Sequence, residues 1–180
     1  MTLSVEQFKY HILLRKAILN NKFKEIKNIL YSLNYDDKIK IINYIHYNSN
    51  MTLLNLSIHY DKSYNNQFVI LFLKNGADPD LKLKYTISSI LKKSKTPLMV
   101  ESEFGSFKIV EILLKYGANS YLKDEEGKNS FYYAFKSKNH KIVKKFKKKK
   151  RNDFNKLKKI FYDISNINDD CIKNIISYIY

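Results

Sequence analysis

The chain has 180 residues and a formal net charge of +16, with one Cys, two Pro, four Gly and no Trp. A single cysteine, Cys171, excludes a disulfide framework. No apolar run approaches the roughly 18–20 residues of a membrane-spanning helix. Lys, His and Arg interrupt the N-terminus, which lacks a secretory signal pattern, so an intracellular, reducing setting is expected, cytoplasmic by default.

The first signal in chain order is the apolar set Leu14, Ala17, Ile26, Ile29 and Leu30. Its spacing returns later as Leu98, Val110, Leu113 and Leu114. An amphipathic helix is predicted over Asp36–Tyr47, with Ile39, Ile42 and Ile45 on one face. A unit then opens at Thr52-Leu53-Leu54 and closes at Gly76-Ala77-Asp78. Leu81–Lys95 is predicted as an enlarged finger or a partly helical insertion.

The same unit is repeated from Thr96-Pro97-Leu98 through Gly105, Val110 and Leu113-Leu114 to Gly117-Ala118-Asn119. Thr can cap a helix whose first position is Pro. Gly105 separates a short helix from a second one, and Gly117 follows its last turn, where a left-handed residue is cheapest for glycine. The first unit is three residues longer between Thr and Gly, and the surplus is placed in Asp61–Gln67. A third unit starts at Asn129, two residues after Gly127, with Phe131 and Ala134 predicted as core of its first helix. Ile142, Val143 and Phe146 fit the second helix, and Lys147 breaks the pattern where Leu114 stood.

These units resemble the ankyrin repeat, at the family's spacing in the copy from Thr96 to Gly117. The implied fold is all-α: an ankyrin-repeat solenoid followed by short C-terminal helices. The expected organisation is degenerate ankyrin-like helices over 1–50, repeats over 51–147, and a basic linker with C-terminal helices over 148–180. The resemblance also implies a partner-binding face made of fingers and first helices. Its finger positions are Asp80, Leu83, Tyr85, Lys123, Glu125 and Glu126. Asn55, Met99 and Tyr132 stand where the family has a His, and Tyr132 and Tyr133 offer aromatic anchors.

Charge is uneven: residues 128–160 hold 14 basic residues and one acidic residue, Asp153. The densest run is Lys144, Lys145, Lys147, Lys148, Lys149, Lys150 and Arg151. It reads first as a solvated linker; nuclear import and contact with an acidic surface are the other readings. Only two arginines occur in the chain. Bidentate base recognition favours Arg, and nothing nearby supports a specific nucleic-acid module, so a nucleic-acid partner is not the expectation and any such binding would be non-specific, weak and strongly salt-dependent.

Beyond it, Phe154, Leu157, Ile160 and Phe161 form one helical stripe. Ile172, Ile175, Ile176 and Ile179 form another, after a cap at Asn168 or Asp169. The stretch from Ile167 through Asp169-Asp170 to Ile175-Ile176-Ser177-Tyr178-Ile179 resembles the opening of an F-box, with Asn168 where the family has Pro. An F-box-like ending on an ankyrin chain is the arrangement of poxviral ankyrin proteins with a PRANC domain. That resemblance implies docking on the Skp adaptor of a cullin ubiquitin ligase through Ile167, Asp170, Ile172, Ile175, Ile176 and Ile179, and a viral host-modulating role. The same stripe also suits a helix that only caps the last repeat.

No catalytic or metal constellation is expected. His11, His46, His59 and His140 are scattered, and Glu101 and Glu103 are placed between two helices, facing solvent. No cofactor is expected. The chain is read as a monomeric, non-enzymatic interaction adaptor that holds a target protein. A plain scaffold without ligase coupling, nuclear through its lysines, and a decayed fragment of a longer ankyrin protein are the other readings.

Overall fold

The computed structural model of the chain describes residues 2–60, 66–86, 92–165 and 170. Helix α1 (Val5–Leu19) starts in a capping box: the Gln7 amide donates to Ser4 Oγ, and the Ser4 amide donates to Gln7 Oε1. It packs on α2 (Phe23–Ser32) and α3 (Tyr35–Ile42). Leu14, Ala17, Ile18, Ile26 and Leu30 are buried there. Helix α3 is shorter than the amphipathic helix predicted over 36–47: Ile41 and Ile42 are buried, and Ile45 lies in the following loop. The helix stops where Asn43 spends its carboxamide on the next unit, donating to Gly76 O at 2.9 Å and accepting from the Asp78 amide at 2.7 Å.

Helices α4 (Leu53–Tyr60) and α5 (Gln67–Lys74) form the first full unit. The second is α6 (Pro97–Phe104) and α7 (Phe107–Lys115). Two residues join α6 to α7; the surplus placed in Asp61–Gln67 falls mostly at 61–65, outside the described residues. Thr96 caps α6 by accepting from the Met99 amide at 3.2 Å, with Pro97 at the first helical position. The two second helices bury equivalent residues: Phe68, Val69 and Phe72 in α5, and Ile109, Val110 and Leu113 in α7.

Between the units the finger is a two-stranded antiparallel hairpin, β1 (Leu83–Thr86) with β2 (Lys92–Lys95), paired from Leu83↔Lys95 to Thr86↔Lys92. The described part of the insertion is therefore an enlarged finger rather than a partly helical one. The fold remains mainly helical around it.

Helix α8 (Ser130–Lys136), capped by Asn129, packs closely on α6. Helix α9 (His140–Ser165) runs 26 residues without interruption. The Lys-rich run, expected as a linker, is thus part of a helix continuous with the last unit. Asn139 joins this unit to its predecessor, accepting from the Ile142 amide at 3.1 Å and donating to Gly105 O at 3.2 Å. Phe131, predicted as core, is 36 % exposed, whereas Leu98 at the equivalent position is fully buried. Phe131 lines an open cavity of about 300 Å³ with Tyr121, Phe146 and Lys150, on the last described repeat.

Gly76 shows how tightly the units stack. Its φ is +92°, and an added Cβ would lie 2.1 Å from Ile39 Cδ1. The left-handed backbone favours glycine, and any side chain there would require the end of the Ile39 side chain to swing aside.

Candidate functional site

The described finger residues are fastened to one another by backbone and side-chain polar groups. Asp78 Oδ1 accepts from the Asp80 amide at 2.8 Å, and Asn119 Oδ1 accepts from the Tyr121 amide at 2.9 Å. These are the same Asx turn in successive units. Asp80 then reaches forward, its two carboxylate oxygens accepting from the Asn119 amide at 2.9 and 3.1 Å. Burial raises the Asp80 pKa, against the opposing hydrogen bond from Asn119. Lys82 Nζ donates to Lys123 O at 2.6 Å, and the Ser94 amide donates to Glu125 Oε2 at 3.0 Å, which lowers the Glu125 pKa. Asp80, Lys123 and Glu125 therefore hold the fingers in register, and their outer surfaces form a rigid rim.

A buried network anchors that rim to the helices. Lys95, 4 % exposed, is ion-paired with Glu103, and its ammonium lies 4.0 Å from the Tyr133 ring centroid. The Tyr133 hydroxyl donates to Asp124 Oδ2; burial first, then Asp124, pushes its pKa up. Asp124 Oδ1 accepts from the Glu126 and Lys128 amides at 2.9 and 2.8 Å. Glu126 is ion-paired with Lys128, whose ammonium lies 5.0 Å from the Tyr132 ring centroid.

This geometry corrects three of the sequence-predicted contact residues. Leu83, Met99 and Tyr133 are 1 %, 0 % and 3 % exposed, so they support the face from beneath and cannot touch a partner. Tyr132, at 38 % exposed, stays on the surface. Tyr85 lies in β1. Glu103 is not a solvent-facing loop residue: it sits in α6 and pairs with Lys95.

Glu101 is also within α6, and it marks a feature the sequence reading missed. Helices α4 and α6 make few contacts, and a groove of about 440 Å³ lies between them. Its walls are largely apolar: Met51, Ile58, Pro97, Val100 and Phe104. Asn55, His59 and Glu101 add polar groups. Burial pushes the Glu101 pKa up to about 7, against a hydrogen bond with the Ser106 side chain. Phe104 is 80 % exposed at the mouth. A signal was present, since Tyr60 and Phe104 stand eight residues after Thr52 and Thr96. An aromatic at the outer end of each first helix cannot serve the core.

The N-terminal helices hold a second unforeseen association. His11 and His46, 35 residues apart, stack with ring centroids 5.7 Å apart. His11 Nδ1 lies 3.0 Å from Ile41 O, and desolvation lowers the His11 pKa to about 4. His46 is shifted down for the same reason. Among the described residues no group of three His, Cys, Asp or Glu could hold a metal ion. None of their helices is long and apolar enough to cross a membrane.

Of the ligase-docking candidates, Asp170 is helical and exposed. Ile167, Ile172, Ile175, Ile176 and Ile179 lie outside the described residues. In the basic run, Lys145 pairs with Glu111 at 2.6 Å and Lys149 with Asp153 at 2.7 Å, while Lys144, Lys147, Lys148, Lys150 and Arg151 are exposed.

Comparison with known proteins agrees with the repeating helix–turn–helix–finger unit. Ankyrin repeats, in three copies, match residues 56–157. An ankyrin repeat protein of Acanthamoeba polyphaga mimivirus is 36 % identical over 128 residues, covering 65 % of this chain and 72 % of the viral protein. The phosphocholine transferase AnkX of Legionella pneumophila is 40 % identical over 67 residues, 37 % of this chain but 6 % of that enzyme. Such a match reaches a small part of AnkX and leaves its transferase activity with AnkX. With the stacked units, the Asx-turn fingers and the matched repeats in agreement, the chain belongs to the ankyrin repeat family.

Proposed function

We propose that this chain is a non-enzymatic adaptor whose repeats hold a target protein in the groove between α4 and α6, while its C-terminal segment recruits a ubiquitin ligase. The observation that carries the first part is the groove itself, with Phe104 exposed at its mouth. An apolar trough of this size beside a rigid polar rim suits an apolar side-chain cluster presented by a partner helix or loop. Tyr132 and the outer surfaces of Lys123, Glu125 and Glu126 extend the face.

The second part rests on the F-box-like pattern from Ile167 to Ile179, and the exposure of Asp170 is compatible with it. A Skp adaptor and a cullin would be its partners. The mimivirus relative supports reading the chain as a viral host-modulating protein acting in host cytoplasm. The alternative is a plain scaffold without ligase coupling, imported into the nucleus through the exposed lysines of α9.

Affinity capture from cell lysate tests both parts. Wild type, Phe104→Ala and the double variant Ile175→Asp/Ile176→Asp are compared. Adaptor and cullin recovered with wild type and Phe104→Ala but lost with the double variant establish ligase coupling. A target lost only with Phe104→Ala establishes the groove. Equal recovery of ligase components from all three, or from none, removes the ligase reading. A target unaffected by Phe104→Ala removes the groove.

A further inference from the structure

We propose that the outer face of α9 is a docking ridge for the phosphate backbone of duplex nucleic acid. Lys141, Lys144, Lys148, Arg151 and Lys159 are all exposed. At about 100° per residue they fall on one side of the helix, opposite the face that buries Ile142 and Phe146. The ridge from Lys141 to Lys159 is about 27 Å long at 1.5 Å per residue. Between those residues α9 has one carboxylate, Asp153, which is half-buried, pairs with Lys149 and accepts from the Tyr121 hydroxyl. Across the helix boundary, Glu111 of α7 is taken up by Lys145 at the ridge's margin. Acidic groups thus neutralise the flank and leave the crest cationic.

The shape selects the ligand. A membrane-surface helix needs an apolar face to insert, and Ile142 and Phe146 of α9 are buried in the fold. Ile160, 49 % exposed, lies about 100° around the helix from Lys159. Protein interfaces use aromatic and apolar anchors and are depleted in Lys, and the crest offers no such anchor. A straight row of point charges matches a uniformly charged polymer, whose strands carry a phosphate about every 3.4 Å of axis. Lysine in place of arginine suits backbone contact without base reading. The ridge and the groove between α4 and α6 are separate surfaces, so this assignment does not depend on the adaptor reading.

Fluorescence anisotropy of the full chain with labelled duplex DNA of about two helical turns tests it. About five phosphate contacts give a log–log salt slope near −4.5, a loss of roughly two to three decades in affinity between about 50 and 200 mM salt. Lys144→Gln/Lys148→Gln/Arg151→Gln should reduce the slope magnitude by about 2.7 and weaken binding at least tenfold. The equally discharged control Lys16→Gln/Lys24→Gln/Lys40→Gln should bind within about twofold of wild type, with circular dichroism verifying both folds. The assignment is overturned by absence of binding at low salt or by equal weakening in both triple variants. It is also overturned if vesicles containing phosphatidylserine compete more strongly than unlabelled duplex at equal phosphate.

Discussion

The carboxyl of Glu101 gives the repeats a pH dependence that one substitution should erase. Burial in the wall of the α4–α6 groove moves its pKa from 4.5 to about 7. Below about pH 4.5 the group is protonated in both the folded and unfolded chain. Between 4.5 and 7 the fold keeps a proton that the unfolded chain has released, so stability falls as pH rises through this window. Above 7 both states are ionised and the whole penalty remains. At about 1.36 kcal/mol per pKa unit, the shift sets a ceiling near 3.4 kcal/mol. Glu101 retains contact with groove solvent, so about 1–2 kcal/mol is expected. Glu101→Gln is neutral at every pH and close to isosteric. Urea unfolding followed by circular dichroism should find it equal to wild type near pH 4.5 and about 1–2 kcal/mol more stable at pH 8. Taking the difference cancels every other titrating group, including His11, whose slope has the opposite sign. A gap that does not change with pH, or a less stable variant at pH 8, would refute the argument.

Other outcomes follow from the same packing. His11 is depressed to about 4. Its contribution is full above about pH 6.5 and is lost as pH falls towards 4; His11→Gln should flatten that acid limb in a melting-temperature series, at a cost of about 1–3 kcal/mol in lost packing at pH 7. Gly76→Ala should destabilise by about 1–2.5 kcal/mol, since left-handed strain adds to the displacement of the Ile39 side-chain tip, whereas Gly117→Ala, with no neighbour within 4 Å, should cost about 1 kcal/mol. Equal losses in the two unfolding curves would contradict the close approach. Tyr133→Phe removes a hydrogen bond to the buried Asp124 carboxylate and should cost about 1.5–3 kcal/mol, with faster amide exchange at Glu126 and Lys128 as the local signature.

The repeating apolar spacing made the stacked fold legible. Thr96-Pro97 announced its helix, and the Gly-Ala-Asp and Gly-Ala-Asn phrases announced their turns. Phe131 misled because its position is core in an internal unit, whereas on the last described repeat it lines an open cavity. Leu83, Met99 and Tyr133 misled in the opposite sense. They occupy family contact positions, yet all three are buried, Leu83 at the base of the finger hairpin and Tyr133 within the Lys95–Glu103–Asp124 network. The run from Lys144 to Arg151 looked like a linker because local charge density opposes helix formation; Ile142, Val143 and Phe146 packing on the core outweigh that repulsion.

Helical periodicity, capping residues and left-handed glycines are local properties, settled within a few residues, so the sequence by itself determined the repeat, its helices and its turns. The α4–α6 groove, the stacking of His11 on His46 and the cationic crest of α9 join residues far apart in the chain or depend on which helix face is covered. Only the tertiary structure decided those, because burial and pairing are set by neighbours that no local pattern names.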